Sequence, residues 1–583
     1  MLLLAATLAA MLLLPLGSQS GSSEAKPKKK GTREARPNVI LVMTDDQAAE
    51  SVRVMPTVNR QLIGRGVSFD QFLVSFPLCC PSRATMLTGQ YPDNHGVRTN
   101  LPPGGGYSAL RPTLRNTLPR WLQKAGYHTG HIGKFLNGYG AETTDTQVPP
   151  GWDEWYGSLD DPDAYLGGTY TMYGYTLNEN GQVVHYGSSP NSVDPATYQT
   201  DVYADKAETF IRRRAPKRQP FFLSIASTAP HAEEPSCGCA GNDPRAAPRH
   251  EGAFAAEPMP RPPSFDEADV SDKPLEIRLR SRIAPEVAAA IENRYRNELE
   301  SLLAVDDLIN SVIGALKDKK ELKNTVIIFT SDNGFFHGEH RIRAGKVRHY
   351  EEASRVPLII RGPGVPRGQS RSQLAGNVDL APTLLDLANA KAERAVDGIS
   401  LMPLIKRKSS HPGRGILIEG FNAADPSDPD GVELRYSAAR TDRYVYAVTG
   451  AEEELYDLAS DPFQVRSIHR DPAMAAVKSD LSELLARLVA CAGRACRTGP
   501  AVTLEVSRVN RCGVRVGLGG AEAGRLTEAL LFANGRKIAT HTGFPFEKSA
   551  VAGRRAPKEN RLGAIVTMRD GRRLSLQRTI RGC

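Results

Sequence analysis

Three short apolar runs, each ending in residues that can bind or react, limit what this chain can fold into. Val39-Ile40-Leu41-Val42-Met43 leads into Thr44-Asp45-Asp46, residues 221–226 lead toward His231, and residues 326–329 lead into Asp332-Asn333. Runs this short and uninterrupted read as strands buried on both faces. Between them lie helical stretches, the clearest over residues 295–316, where Leu299, Leu302, Leu303, Ile309, Val312, Ile313 and Leu316 mark one apolar face. Strand and helix alternate, so the expectation is an α/β sheet covered by helices on both faces. Ligands collect at the carboxyl ends of the strands in such sheets, which is where the Asp, Asn and His residues fall.

At 583 residues the chain has room for a large core and at least one appended module. Residues 2–16 are apolar and are followed by small polar residues, so residues 1–20 are expected to be a signal peptide and the mature protein to be secreted. A retained anchor is the competing reading, although the run is shorter than the ~20 residues a spanning helix needs. No later stretch is long and apolar enough to span a bilayer, and no stable membrane association is expected after cleavage. Residues 21–36, with the tract Lys26-Pro27-Lys28-Lys29-Lys30, read as a solvated basic linker. The net charge of +9 suits a polyanionic substrate, but scattered surface arginine accounts for it, and no nucleic-acid partner is expected.

Residues 233–272 are rich in Pro, Gly and Ala without periodicity and are expected to form a long surface insertion near the site. After Gly413 the pattern shifts to short strands around Tyr436 and residues 444–448, then a helix near residues 474–488, giving a smaller α+β subdomain over 411–490. From residue 498 to 583 the chain reads as a small all-β, sandwich-like module, with hairpin turns at Asn534-Gly535 and Asp570-Gly571. Of the eight cysteines, Cys491, Cys496, Cys512 and Cys583 lie in the tail. Pairing Cys491 with Cys496 and Cys512 with Cys583 is the simplest of three connectivities, and a zinc site lacks the CxxC spacing. The module shows no aromatic platform for glycan binding.

The most informative stretch is Pro77-Leu78-Cys79-Cys80-Pro81-Ser82-Arg83-Ala84-Thr85-Met86-Leu87-Thr88-Gly89. Read on its own, Pro81 suits the first position of a helix and leaves Cys79 just ahead of free backbone N–H groups that attract an anion. A Cys-Cys pair alone would suggest a vicinal disulfide or two buried thiols. Asp45, Asp46, Asp332 and Asn333 are hard oxygen ligands suited to Ca²⁺ or Mg²⁺, although such pairs after a strand also serve as turns and caps.

The stretch resembles the sulfatase signature, C-x-P-S-R-x-x-x-L-T-G, at every fixed position. The resemblance implies an alkaline-phosphatase-like α/β catalytic domain, here over residues 37–410. It also implies that a formylglycine-generating enzyme converts Cys79 to formylglycine, whose hydrate supplies the nucleophile, with Cys80 as the variable position. Arg83, one helical turn on, would meet the sulfate oxygens or hold the diol. Asp45, Asp46, Asp332, Asn333 and the modified Cys79 would hold the Ca²⁺.

Gly130-His131-Ile132-Gly133-Lys134, Ala229-Pro230-His231, and Gly345-Lys346 ahead of Tyr350-Glu351-Glu352 also look like family motifs. By resemblance Lys134 and Lys346 neutralise charge developing on the sulfate, and His231 contacts or protonates the leaving oxygen. There are departures. Many sulfatases carry histidine two residues after the Gly-Lys lysine, where this chain has Leu136 followed by Asn137, and Phe335-Phe336 precedes His337, which reads as a loop histidine.

Family-like segments extend from about residue 37 to 488. The Cys-Cys signature and the long insertion resemble the branch containing N-acetylglucosamine-6-sulfatases and extracellular heparan sulfatases. The expected substrate is thus a sulfated carbohydrate such as N-acetylglucosamine 6-sulfate, or an aryl sulfate. Two alternatives stay open at this point: a phosphonate or phosphate monoester hydrolase on the same fold, and a sulfated-glycan-binding protein whose Cys79 is never oxidised.

Overall fold

The computed structural model describes residues 36–141, 147–160, 168–215, 217–233, 243–423, 428–508, 513–542, 547–551 and 559–581. The expected signal peptide, nearly all of the basic linker, and Cys237, Cys239, Cys512 and Cys583 lie outside the described residues, as does the Cys512–Cys583 pairing.

A ten-stranded mixed sheet forms the centre. In chain order its strands are β1 (Asn38–Asp45), β2 (Val67–Phe69), β3 (His128–Gly133), β4 (Glu154–Ser158), β5 (Tyr175–Glu179), β6 (Gln182–Tyr186), β7 (Phe221–Pro230), β8 (Thr325–Ser331), β9 (Leu358–Arg361) and β10 (Gln369–Arg371). Their spatial order is β10-β2-β9-β8-β1-β7-β3-β4-β5-β6. The five central strands, β8-β1-β7-β3-β4, are parallel, and β5, β6 and β9 run antiparallel to their neighbours.

The two-residue period of β1 explains the layers. Val39, Leu41 and Met43 enter one core together with Leu380, Ala381 and Leu384, whereas Ile40 and Val42 enter the other with Leu302, Val305 and Ile309. Helices α1 (Cys79–Thr88) and α4 (Leu380–Ala388) therefore cover one face, and α2 (Gln199–Arg214) and α3 (Pro285–Asp318) the other. Each fully buried aliphatic side chain contributes about 1.5–3 kcal/mol. Helix α3 begins ten residues before the apolar stripe of the sequence because Pro285 opens it, and Ala288 and Ile291 continue the buried face more sparsely.

Residues 243–272 are irregular, as expected, but not superficial. Met259, Ser264, Glu267 and Val270 are buried, and Glu267 accepts a 2.8 Å hydrogen bond from His340. Polar residues can be buried where a partner comes from afar, and composition does not reveal such partners.

The next unit is an antiparallel sheet of β11 (Ile416–Ala423), β12 (Leu434–Arg440), β13 (Tyr444–Thr449) and β14 (Glu452–Asp457), packed against α5 (Ala475–Val489). Cys491 and Cys496 form a disulfide just after α5. On β11, burial and then the neighbouring Asp93 carboxylate push Glu419 up to about 8. A carboxyl raised above its unfolded value contributes stability at low pH that is lost as pH rises through the folded value. Glu419→Gln is therefore expected to match the parent in Tm near pH 4 and to gain progressively up to about pH 8, as read by thermal melts across pH; a constant gap would contradict this.

The tail packs a three-stranded and a four-stranded antiparallel sheet face to face, with Leu504, Val514 and Val516 of one meeting Leu531, Ala564 and Val566 of the other. Both dipeptide turns fall where expected, Asn534-Gly535 and Gly571 having positive φ between paired strands. No helix among the described residues is long and apolar enough to cross a membrane.

Candidate active site

Four adjacent strands deliver the polar residues to one place. In the order β8, β1, β7, β3, their carboxyl ends carry Asp332-Asn333, Asp45-Asp46, His231 and Lys134. Asp46 has a φ of 65°, a left-handed conformation that Asp tolerates, and it follows a register irregularity in the pairing of β1 with β7. Gly133 precedes Lys134 with a φ of 98°, and a Cβ there would lie 2.1 Å from the Ala226 carbonyl oxygen. Glycine thus lets the Lys134 amide donate to that carbonyl at 3.0 Å.

Helix α1 starts at Cys79 itself, two residues earlier than Pro81 suggested. Proline is tolerated throughout the first turn, whose N–H groups have no intrahelical acceptor. Cys79 and Cys80 are free, buried thiols, so no vicinal disulfide forms. The Cys80 amide donates to Asn100 Oδ1 at 2.9 Å, and Arg83, one turn along, faces the strand ends.

Three carboxylates and three cations, all nearly or fully buried, form the site. Asp45 is bonded by Lys134 and lies 3.4 Å from Arg83 Nη2, Asp46 is bonded by Lys346, and Asp332 accepts from Arg83 Nε at 2.8 Å. Cys79 Sγ lies 3.5 Å from Asp45 Oδ1 and 3.4 Å from Lys346 Nζ. His231 Nε2 stands 3.5 Å from Asp46 Oδ2, while its Nδ1 donates to the Ala232 carbonyl at 2.6 Å. Every residue singled out in the sequence for catalysis or metal ligation falls in this cluster.

The electrostatics follow from burial and pairing. Burial alone would raise Asp45 and Asp46, but Lys134 and Arg83 hold the first, and Lys346 the second, below the usual carboxylate range. Burial, with Asp45 adding to it, pushes the Cys79 thiol up to about 12, so as a thiol it is protonated at neutral pH and a poor nucleophile. Burial also lowers His231, which is therefore neutral. With Nδ1–H committed to Ala232, its Nε2 presents a lone pair.

The donor set fits a hard divalent cation. Asp45, Asp46 and Cys79 offer ligand atoms within 4.8 Å of one another. Asn333 donates its amide N–H groups to Asp46 at 2.6 Å and to Gly334 at 2.9 Å, leaving Oδ1 buried without a protein donor, as an oxygen meant for a cation would be.

Some participants were not apparent in the sequence. Tyr170 lies beside Lys134 and His231, and Asn377 donates to Ser82 Oγ at 3.0 Å while accepting from the Ser75 amide. Tyr170 sits in no motif, whereas Asn377 opens a family-like segment, residues 377–384, in which no role was expected of it. His131, inside the Gly-Lys motif, is a packing residue: it stacks on Trp155 at 4.6 Å, and burial drives it down to about 3. Leu136 is core, and Asn137 bonds Cys80 and Tyr170. His337 lies in a loop, as expected, but is not exposed. It is buried against Glu298 on α3 at 2.7 Å, and although burial opposes its charge, that partner lifts it to about 9.

An α/β sheet with oxygen donors, a helix N-terminus and three cations at its carboxyl edge defines a hydrolase of anionic esters. Residues 37–390 match the sulfatase family model, and residues 338–490 match the N-sulphoglucosamine sulphohydrolase C-terminal model. Over 527 residues the chain is 33% identical to the N-acetylglucosamine-6-sulfatase of Homo sapiens, covering 84% of this chain and 90% of that protein. It is 34% identical over 385 residues to a putative extracellular sulfatase Sulf-1 homolog of Caenorhabditis elegans, covering 65% of this chain and 51% of that one. A protein solved in complex with its substrate D-glucosamine-2-N,6-O-disulfate superposes with a TM-score of 0.63 at 25% identity, over 77% of this chain and 97% of the other. The chain belongs to the sulfatase family and is a sulfuric ester hydrolase.

Proposed function

We propose that the protein is an exported, formylglycine-dependent sulfatase that removes sulfate from sugars, with 6-sulfated N-acetylglucosamine as the first candidate substrate. One observation carries this reading: Cys79, at the first residue of α1, meets Asp45 and Lys346 where the four strand ends converge. The sugar preference is supported by the name of the human relative and by the sugar bound to the solved neighbour. Export is supported by the apolar leader and by the extracellular relative. On this reading residues 37–410 are the catalytic domain, 411–490 its smaller partner and 498–583 an added β module.

Formylglycine made from Cys79 would supply a hydrated aldehyde as the oxygen nucleophile, which the protonated thiol cannot replace. Asp45, Asp46, Asp332 and Asn333 would hold a Ca²⁺ or Mg²⁺, which polarises sulfate oxygens when bound. The chain's own groups do the rest. Lys134, Lys346 and Arg83 stabilise negative charge on the sulfuryl group as the ester bond breaks, and the buried surroundings keep their fields from being screened. His231 Nε2 faces the same centre with a lone pair. Lys346, an ammonium 3.4 Å from Cys79 Sγ, is then a source of a proton for the leaving alkoxide.

The test is to produce the protein with a formylglycine-generating enzyme, weigh the peptide containing Cys79 for a loss of about 18 Da, and assay sulfate release. Release from N-acetylglucosamine 6-sulfate in proportion to the modified fraction is expected. Fully modified protein that spares sulfated sugars, or that prefers a matched phosphate ester, would overturn the reading.

A further inference from the structure

The sequence lacks the usual histidine after Lys134, and the space beside that lysine is taken by a residue from a distant loop. Tyr170 is 5% exposed. Lys134 Nζ lies 4.4 Å from the centre of its ring, and the His231 imidazole packs against the same ring with centroids 4.5 Å apart. Its hydroxyl accepts from Asn137 Nδ2 at 2.6 Å. Asn137 also pairs with Cys80, whose Sγ meets both its amide nitrogen and its Oδ1 at 3.1 Å. A chain of contacts thus runs from the residue after the nucleophile position, through Asn137 and Tyr170, to Lys134 and His231.

The backbone at Tyr170 is held as firmly as the ring. Buried Gln199 donates from its amide to the carbonyls on both sides, Thr169 at 3.0 Å and Thr171 at 2.8 Å, and the Thr228 hydroxyl donates to Thr169 at 3.1 Å. Helix α2 carries Gln199, and β7 carries Thr228, just ahead of His231 at the carboxyl end of the same strand. A ring fixed this way limits the rotamers of a long, flexible lysine, and its negative face attracts the ammonium group.

We propose that Tyr170 is a positioning residue for catalysis, its ring holding the Lys134 ammonium and the His231 imidazole in register with position 79. The proposal rests on the sulfatase reading of Lys134 and His231 given above. The hydroxyl ties the ring to Asn137, and the ring itself does the positioning. Loss of the ring therefore lowers kcat while substrate binding changes little, because displacing a reacting group by about 1 Å costs up to ~10²-fold.

The experiment compares Tyr170→Leu, Tyr170→Phe, Lys134→Ala and the double variant Tyr170→Leu/Lys134→Ala, all with formylglycine at position 79 verified by mass and folding verified by thermal melts. Tyr170→Leu is expected to lose about 30- to 100-fold in kcat with KM changed less than about threefold, and Tyr170→Phe to recover most of that loss. Because Tyr170 acts through Lys134 as well as His231, the double variant is expected to be less impaired than the product of the two single losses. A Tyr170→Leu enzyme with unchanged kcat, a loss confined to KM, an equal loss in both Tyr170 variants, or strict additivity in the double variant would each overturn the proposal. Failure of the underlying reading looks different: Lys134→Ala would then retain full activity whatever Tyr170 does.

Discussion

Cys79→Ala is expected to abolish sulfate ester hydrolysis, by at least ~10⁴-fold in kcat/KM, while leaving a folded protein. Removing a covalent nucleophile costs most of a catalytic group's rate enhancement, since the remaining residues act only in concert with it. The side chain is small and its thiol is neutral, so its loss uncovers no charge: Asp45 keeps Lys134 and Arg83, and Lys346 keeps Asp46. The stability cost is that of a minor cavity, about 1–2 kcal/mol. The check is sulfate release from N-acetylglucosamine 6-sulfate alongside a thermal melt. Retained activity in the alanine variant would remove position 79 from the chemistry, and an unfolded variant would show that the thiol is structural.

Arg83→Ala should have the largest effect on stability. The guanidinium is 2% exposed and bonds Asp332 Oδ2 and the Lys134 carbonyl, both at 2.8 Å, with Asp45 at 3.4 Å. Its deletion leaves two buried carboxylates short of a partner, and breaking one side of a buried pair costs about 3–5 kcal/mol. Arg83→Lys is expected to recover little, because an ammonium cannot span Asp332, Asp45 and a carbonyl with the fork that Arg supplies. Chemical denaturation of all three proteins measures this. Activity falls in parallel, since Asp332, Asp45 and Lys134 lose a common anchor. A lysine variant as stable as the parent would mean that charge alone, without the fork geometry, satisfies the site.

The buried charges also explain the arrangement as a whole. Asp45, Asp46 and Asp332 are matched one for one by Lys134, Lys346 and Arg83, so burying them is tolerable before any ligand arrives. A divalent cation adds two positive charges to this balanced set, and an anionic ester is what would complement them. The same field disfavours a neutral substrate.

How much of this was legible in the sequence can be judged from particular residues. The strands of the central sheet were readable because a strand buried on both faces must be apolar along its whole length, whatever it packs against. Asp45, Asp46, His231, Asp332 and Asn333 were readable because each follows such a run, and topology brings the carboxyl ends of parallel strands together. The run from Cys79 to Gly89 was readable because it resembles a family signature and lies on one continuous helix, so its recognition needs no distant partner. Tyr170, the contact of Asn377 with Ser82, and the pairings of His337 with Glu298 and His340 with Glu267 were not, since each joins residues dozens to hundreds of positions apart. Sequence periodicity records which face of an element is buried, but the identity of a long-range partner depends on how the elements are stacked. The chain alone thus determined the strands, the signature helix and the kinds of group at the site. Only the tertiary structure decided which lysine meets which carboxylate, and that a tyrosine from a distant loop braces the lysine and the histidine, because those contacts are set by packing across the sheet.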